Sequence, residues 1–320
     1  MSLPYHHFRL HSPALAGNLL QDNPVREALI YLPPSYHKQS DRCYPVVYLL
    51  HGFGGTAKGW FSEQQGEPSL HLTMAQLIAT KQVKEMIIVV PENSTRFTCT
   101  GYNNNDVQGH WLDFICHDLV NAIEAEYRCL GGAKHRALMG HSSGADAVLK
   151  TLFYKPGFFQ HAFAMSPANL HNDSITFFKQ LFNDNHTTLM QAAQGELAIE
   201  QLDVWQHLLI CRLQAALPDV NKPPLYCRLP EQESDWLQLA NTAFNCVIPT
   251  HGQHLKDVNI AIDIGSQEDT HQSCLNLVKQ FNQSGVAIEL FEFDGGHVDH
   301  MGKSLAYVLP WLSRALTSTD

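Results

Sequence analysis

Residues 137–144 read Ala137-Leu138-Met139-Gly140-His141-Ser142-Ser143-Gly144. An apolar run leads into a G-x-S-x-G pattern, and a segment of helical period follows over 144–154. Strand, sharp turn and helix in that order place a serine on strained backbone. A side chain two positions to either side would collide with the turn, so small flanking residues are what the geometry requires. The start of the following helix presents free N–H groups and the positive end of a dipole. Ser142 is therefore the candidate nucleophile. Ser143, which is not flanked by glycine two residues away on both sides, is the poorer one. Its N–H, however, is the group that an elbow of this kind offers to a developing oxyanion.

Working outward, short apolar runs rich in β-branched and aromatic residues occur at 28–32, 46–51, 86–91, 137–140, 162–166, 258–264 and 288–293. Segments of helical period lie at 72–83, 111–127, 144–154, 272–283 and 303–316. Near-continuous hydrophobic strands alternating with helices are the pattern of an α/β fold, a mostly parallel central sheet flanked by helices. The alternation fails between 168 and 257, where Phe177, Phe178, Phe182, Trp205, Leu208, Leu209, Trp236 and Leu239 show helical spacing without a convincing strand. The expectation is a core of residues 1–167 and 258–320, with 168–257 a helical cap inserted above the sheet. Packing this insertion onto the core accounts for most of its aromatics.

A chain of 320 residues with 44% hydrophobic content can bury one large core. Its 21 Lys and Arg against 31 Asp and Glu give a net charge of -10, with the acidic residues scattered. Such a surface argues against nucleic acid or an anionic membrane as partner. No apolar stretch approaches the ~18–20 residues of a membrane helix. Cysteines at 43, 99, 116, 129, 211, 227, 246 and 274 form no C-x-x-C pair and no metal-type cluster. They read as buried small hydrophobes in a reducing compartment, so a cytoplasmic protein is the expectation. Residues 1–10 carry no apolar signal region; a secreted or periplasmic form whose leader has been removed is the alternative.

The second oxyanion donor is expected in His51-Gly52-Phe53-Gly54-Gly55-Thr56, where glycines after an early strand permit close approach to Ser142. Phe53 is the first choice and Gly54 the second. A base is expected in Gly295-Gly296-His297, just after the last strand and before the closing helix, which selects His297 from 19 histidines and leaves His300 in reserve. The acid is expected after the run at 258–264, where Glu268 and Asp269 compete; Asp263, inside the strand pattern, points into structure. Two readings hold for Thr98 to His110: a lining of the cleft, or a surface loop of turn-forming residues.

Together these residues resemble an esterase family of α/β-hydrolases that includes S-formylglutathione hydrolases, feruloyl esterases, enterochelin esterases and mycolyltransferases. The resemblance spans most of the chain. It rests on Tyr44-Pro45-Val46-Val47-Tyr48-Leu49-Leu50-His51-Gly52, on Gly109-His110-Trp111-Leu112-Asp113-Phe114-Ile115 leading to Tyr127-Arg128, on the elbow, on Met165-Ser166-Pro167, on the Gly265 loop and on Gly295-Gly296-His297. It implies an α/β-hydrolase fold with Ser142 as nucleophile, His297 as base, the Phe53 and Ser143 N–H groups as oxyanion hole, and Glu268, three residues after the loop glycine, as acid. Relatives mostly carry Asp there. Ala145 replaces the usual second elbow glycine, and Asp146 after it reads as a solvated helix residue or as a group narrowing the pocket.

The implied reaction is cleavage of a small-molecule or carbohydrate-linked carboxylic ester through an acyl-enzyme, with no metal or cofactor. Acyl transfer to a non-water acceptor, or a non-catalytic binding module on a hydrolase scaffold, are the alternatives. An intact Ser142, His297 and acid loop argue against the latter.

Overall fold

A computed structural model of the chain describes residues 3–64, 69–168, 171–242 and 252–317. Eight strands form the main sheet: β1 (His6–His11), β2 (Val25–Tyr31), β3 (Val46–Leu50), β4 (Ile87–Pro91), β9 (Arg136–His141), β10 (His161–Met165), β11 (Asn259–Gly265) and β12 (Ile288–Phe293), with four short strands between β4 and β9 making two small hairpins. Their order across the sheet is β1-β2-β4-β3-β9-β10-β11-β12. Every pair from β4 onward is parallel, and the two pairs made by β2 are antiparallel.

The strands read as unbroken apolar runs because both faces are covered. Along β3, Val46, Tyr48 and Leu50 enter one core layer, while Val47 and Leu49 enter the other. The first layer is closed by α4 (Ser143–Tyr154) and α9 (His271–Gln283), among others, and the second by α1 (Leu70–Ala79) and α10 (Met301–Thr317). Strand ends differ from expectation for local reasons. The run expected to 166 stops at Met165, because Ser166 takes a φ of 48° that no strand accommodates. The single helix expected over 111–127 is instead α2 (Trp111–Asp113), a π-helical stretch (Phe114–Leu119) and α3 (Val120–Glu126). The wider turn is compatible with burial of Phe114, Ile115, Cys116 and Leu119 together. Strand β1 was not anticipated at all. Its sequence HHFRLH is polar at most positions, and as an edge strand only Leu10 is buried.

The described residues between β10 and β11, two strands that pair directly, lie outside the sheet. They include α5 (His171–Asp184), α6 (His186–Gln194), α7 (Val204–Ala216) and α8 (Glu233–Ala240). A third apolar cluster gathers Phe178, Phe182, Leu208, Leu209, Trp236 and Leu239 from these helices with Phe97 and Val107 from the hairpin segment. Residues 169–170 and 243–251 of the expected insertion, including Cys246, lie outside the described residues. The seven described cysteines are unpaired. Among the described residues no helix is long and apolar enough to cross a membrane.

The tightest approach in the sheet is at the elbow. A Cβ on Gly144 would lie 2.2 Å from the Leu50 carbonyl oxygen of β3, closer than any backbone shift short of moving a strand can relieve. Gly144→Ala is expected to lower the melting temperature by at least ~5 °C or to prevent soluble folding. Gly59→Ala, whose Cβ would meet only Thr56 Oγ1 at 3.5 Å, is expected to melt within about 2 °C of the parent. Thermal unfolding of both variants checks the contrast.

Candidate active site

Ser142 sits between β9 and α4 with φ 57° and ψ -122°, a conformation that a non-glycine residue holds only under compulsion. Three contacts supply it. The Ser142 N–H donates to the Met165 carbonyl of β10 at 3.0 Å, and Ser142 O accepts from Asp146 N at 3.0 Å. Gly140 and Gly144 come so close that a Cβ on Gly140 would lie 2.5 Å from the Gly144 carbonyl carbon. The side chain is thereby held up, partly exposed, beyond the C-terminal end of the strand.

His297 and Glu268 arrive on two loops that follow β12 and β11. The loops are packed backbone against backbone: Gln267 N donates to Gly295 O at 3.1 Å, and a Cβ on Gly265 would lie 2.3 Å from that same oxygen. The result is a line of hydrogen bonds. Ser142 Oγ donates to His297 Nε2 at 2.9 Å, and His297 Nδ1 donates to Glu268 Oε2 at 2.7 Å. Glu268 Oε1 accepts from the Gly265 N–H at 2.9 Å and from Ser166 Oγ at 2.6 Å. Burial alone would push the Glu268 pKa up. The bonds from His297, Ser166 and Gly265 outweigh it and hold the carboxyl below its ordinary value.

The other expected residues fall out differently. Asp269 is exposed, two residues before α9 begins at His271, and the N-cap position belongs to Thr270. His300 stacks flat on Phe293, with centroids 4.3 Å apart. Asp263 is buried in β11 and accepts from Ser166 N at 2.9 Å and from Tyr307 OH at 2.7 Å. Burial raises its pKa to about 7 in spite of these bonds. Asp146 is neither solvated nor a wall of an open pocket. It is fully buried, accepting from Ala168 N at 3.1 Å and from Arg212 Nη2 of α7 at 3.2 Å, because the insertion helix packs directly on α4. The stretch from Thr98 to His110 is likewise no plain surface loop. Tyr102 is buried and donates to His51 O at 3.0 Å, and Asn103 Oδ1 accepts from the buried Lys150 Nζ at 2.8 Å.

The glycine loop after β3 passes over the serine, since a Cβ on Gly52 would lie 3.0 Å from Ser142 Cβ. Among the described residues, neither the Phe53 nor the Ser143 N–H donates to a protein acceptor. Two groups were not anticipated. Buried His141 donates from Nε2 to the His297 carbonyl at 2.7 Å; burial first, and the adjacent His297 second, push its pKa down to about 4, so the ring is neutral. Ser166 braces Glu268, as above. His141 occupies a variable position of G-x-S-x-G, and no pattern in the sequence singles out either partnership. Among the described residues no group of three or more His, Cys, Asp or Glu side chains is placed to hold a metal ion.

With that geometry in view, comparison with known proteins places the chain. It belongs to the family described as "Putative esterase", whose model matches residues 23–299. An esterase of Mycobacterium tuberculosis is 33% identical over 150 residues, 45% of this chain and 30% of that protein. The chain thus matches under a third of that relative's length. Among solved structures, a ferulic acid esterase superposes with a TM-score of 0.68 at 20% identity, covering 97% of this chain and 98% of that one. An S-formylglutathione hydrolase from Staphylococcus aureus gives 0.59 at 14% identity over the same shares. At those identities the likeness is one of fold, and the fold is that of the α/β-hydrolases.

The lowered Glu268 pKa has a consequence for stability. Because the folded-state value lies below the unfolded one, this carboxylate stabilises the fold fully above its ordinary pKa and loses that contribution as pH falls through the folded-state value. The stability gap between the parent and Glu268→Gln is therefore expected to shrink between pH ~7 and pH ~3, as read by urea unfolding at each pH. A gap that stays constant or widens toward acid would show that the carboxyl is not held in its charged form.

Proposed function

We propose that this protein hydrolyses small carboxylic esters through an acyl-enzyme on Ser142. The observation that carries the reading is the unbroken line Ser142 Oγ, His297, Glu268, with bonds of 2.9 and 2.7 Å and a strained serine at its head. In this reading His297 takes the Ser142 proton through Nε2 while Glu268 keeps the other ring nitrogen protonated and stabilises the imidazolium. The oxyanion of the tetrahedral intermediate is met by the N–H groups of Phe53 and Ser143, both without a protein acceptor among the described residues. The same base then activates water against the acyl-enzyme. Neighbours of the fold include proteins named for ferulic acid and for S-formylglutathione, so the substrate class is drawn here as small-molecule esters without choosing the acyl group.

Ser142→Ala is expected to lower turnover of a p-nitrophenyl ester by at least ~10³-fold and to abolish labelling by a fluorophosphonate, with the melting temperature little changed. Glu268→Gln is expected to lose orders of magnitude, whereas Ser143→Ala and Asp269→Asn keep most of the activity. A Ser142→Ala variant that still turns over the ester would end this reading. With added alcohol acceptor, hydrolysis predicts free acid as the main product; an ester product in excess would make the protein an acyltransferase.

The insertion of residues 168–257 serves in this reading as a cap that shapes substrate choice. Its helix α7 begins over the glycine loop: a Cβ on Gly54 would lie 3.2 Å from Val204 Cγ2. Next to it Trp205 stands 54% exposed and meets Phe177 edge to face at 5.7 Å. An exposed Trp–Phe pair beside the loop offers apolar area to the non-reacting part of a substrate. Trp205→Ala is expected to lower kcat/KM for bulky esters about 10-fold relative to an acetyl ester. Unchanged relative rates would reduce the pair to surface packing.

A further inference from the structure

The loop that offers the Phe53 N–H carries a turn bond of its own, from the Gly55 N–H to the Gly52 carbonyl at 3.0 Å, with His51 Nδ1 3.0 Å from the same oxygen, and its two ends are held from outside. It leaves β3 at His51 and re-enters regular structure at Ala57, and both ends meet one carboxylate, that of Glu92 just beyond β4. Glu92 Oε2 accepts from the Ala57 N–H at 3.0 Å, and Oε1 accepts from His51 Nε2 at 3.1 Å. The remaining capacity of Oε1 is filled by the Asn93 and Ser94 N–H groups at 3.1 and 3.2 Å and by Ser94 Oγ at 2.6 Å. Burial would raise the Glu92 pKa, but the bonds from His51, Ser94 and Ala57 outweigh it and bring it down to about 2. The bracket is therefore ionised at neutral pH.

Two more ties come from the same connection. Cys99 Sγ accepts from the Gly54 N–H at 3.4 Å, and Tyr102 OH donates to the His51 carbonyl at 3.0 Å. This connection is itself braced by the insertion: Thr98 Oγ1 donates to His207 Nδ1 at 2.6 Å, and Cys211 Sγ contacts the Cys99 carbonyl at 3.2 Å. Within the loop so fixed, the Phe53 N–H meets no protein acceptor among the described residues. A donor held rigidly before the charge develops is what electrostatic stabilisation of a transition state requires.

We propose that Glu92 is a positioning residue for transition-state stabilisation, bracketing the His51–Ala57 loop so that the Phe53 N–H is fixed where an oxyanion forms. This rests on the reading of Phe53 as an oxyanion donor in ester hydrolysis. Both Glu92 oxygens face N–H donors, so a carboxamide in its place turns an NH₂ toward one end of the loop and breaks the bracket there.

The test uses the full chain, with active sites titrated by a fluorophosphonate. Glu92→Gln is expected to lower kcat per titrated site about 10- to 100-fold, short of the ~10²–10³-fold loss seen when an oxyanion donor is removed outright. KM should stay within about 3-fold. The inhibition constant of a trifluoromethyl ketone, which forms a tetrahedral adduct on the serine, should rise by the same factor by which kcat/KM falls. Should Glu92→Gln fail to fold, Ala57→Pro removes the N–H that Glu92 Oε2 accepts, at a φ of -57° that proline adopts. It is expected to shift both constants in the same direction by a smaller factor. A loss of kcat with an unchanged trifluoromethyl ketone constant, or no loss per titrated site, would leave Glu92 a purely structural group and overturn the proposal. A parent protein that neither cleaves esters nor binds the ketone would instead overturn the esterase reading beneath it.

Discussion

Everything at this site depends on how closely two backbones approach at the end of the sheet. Gly144 lies against the Leu50 carbonyl, and Gly140 against Gly144, at separations that exclude any side chain. That contact lets the elbow turn within the width of a strand and seats α4 on the sheet. It also forces Ser142 into its left-handed conformation. The strain at Ser142, of order 1–3 kcal/mol, persists because the flanking strands β3 and β10 hold both sides of the turn: β3 by contact, β10 by the bond from Ser142 N to Met165 O.

A second contact of the same kind joins the two loops that bring His297 and Glu268. Gly265 lies against the Gly295 carbonyl, so neither loop can shift without the other. Side-chain hydrogen bonds then refine what the backbone has set. Ser166 and Gly265 hold the Glu268 carboxylate, His141 holds the His297 carbonyl, and the imidazole between them is bonded at both ring nitrogens. The charge on Glu268 is stabilised by donors although its carboxylate is nearly fully buried.

Much of this was legible in the sequence because it is written in residues with few alternatives. Glycines at 140, 144, 265 and 295 mark close approaches, and apolar runs bounded by turns mark strands buried on both faces. Residue chemistry alone left Glu268 and Asp269 open and the spacing from Gly265 favoured Glu268; the structure gives the Glu268 carboxylate to the imidazole and leaves Asp269 in solvent. What escaped were features set by tertiary contact. The polar edge strand β1 has no alternation strong enough to reveal it, and the π-helical stretch leaves the apolar pattern of an ordinary helix almost unchanged. Asp146 offered two readings in sequence, neither of them the buried ion pair it makes, and nothing in the sequence singles out Glu92. Their partners, Arg212 and the His51–Ala57 loop, lie 66 and 35 or more positions away in the chain, a distance over which local pattern carries no information.

The helices between β10 and β11 leave the sheet and return to it at strands that pair with each other directly. The entropy of closing such a loop grows only with the logarithm of its length, so a connection several times longer than a plain crossover costs about 1–2 kcal/mol more. The apolar cluster that the insertion helices form together with Leu20, Phe97 and Val107 can offset that amount many times over. The region can therefore be long at little entropic cost, while Arg212 on Asp146 and His207 on Thr98 tie it to the elbow helix and to the connection that braces the glycine loop.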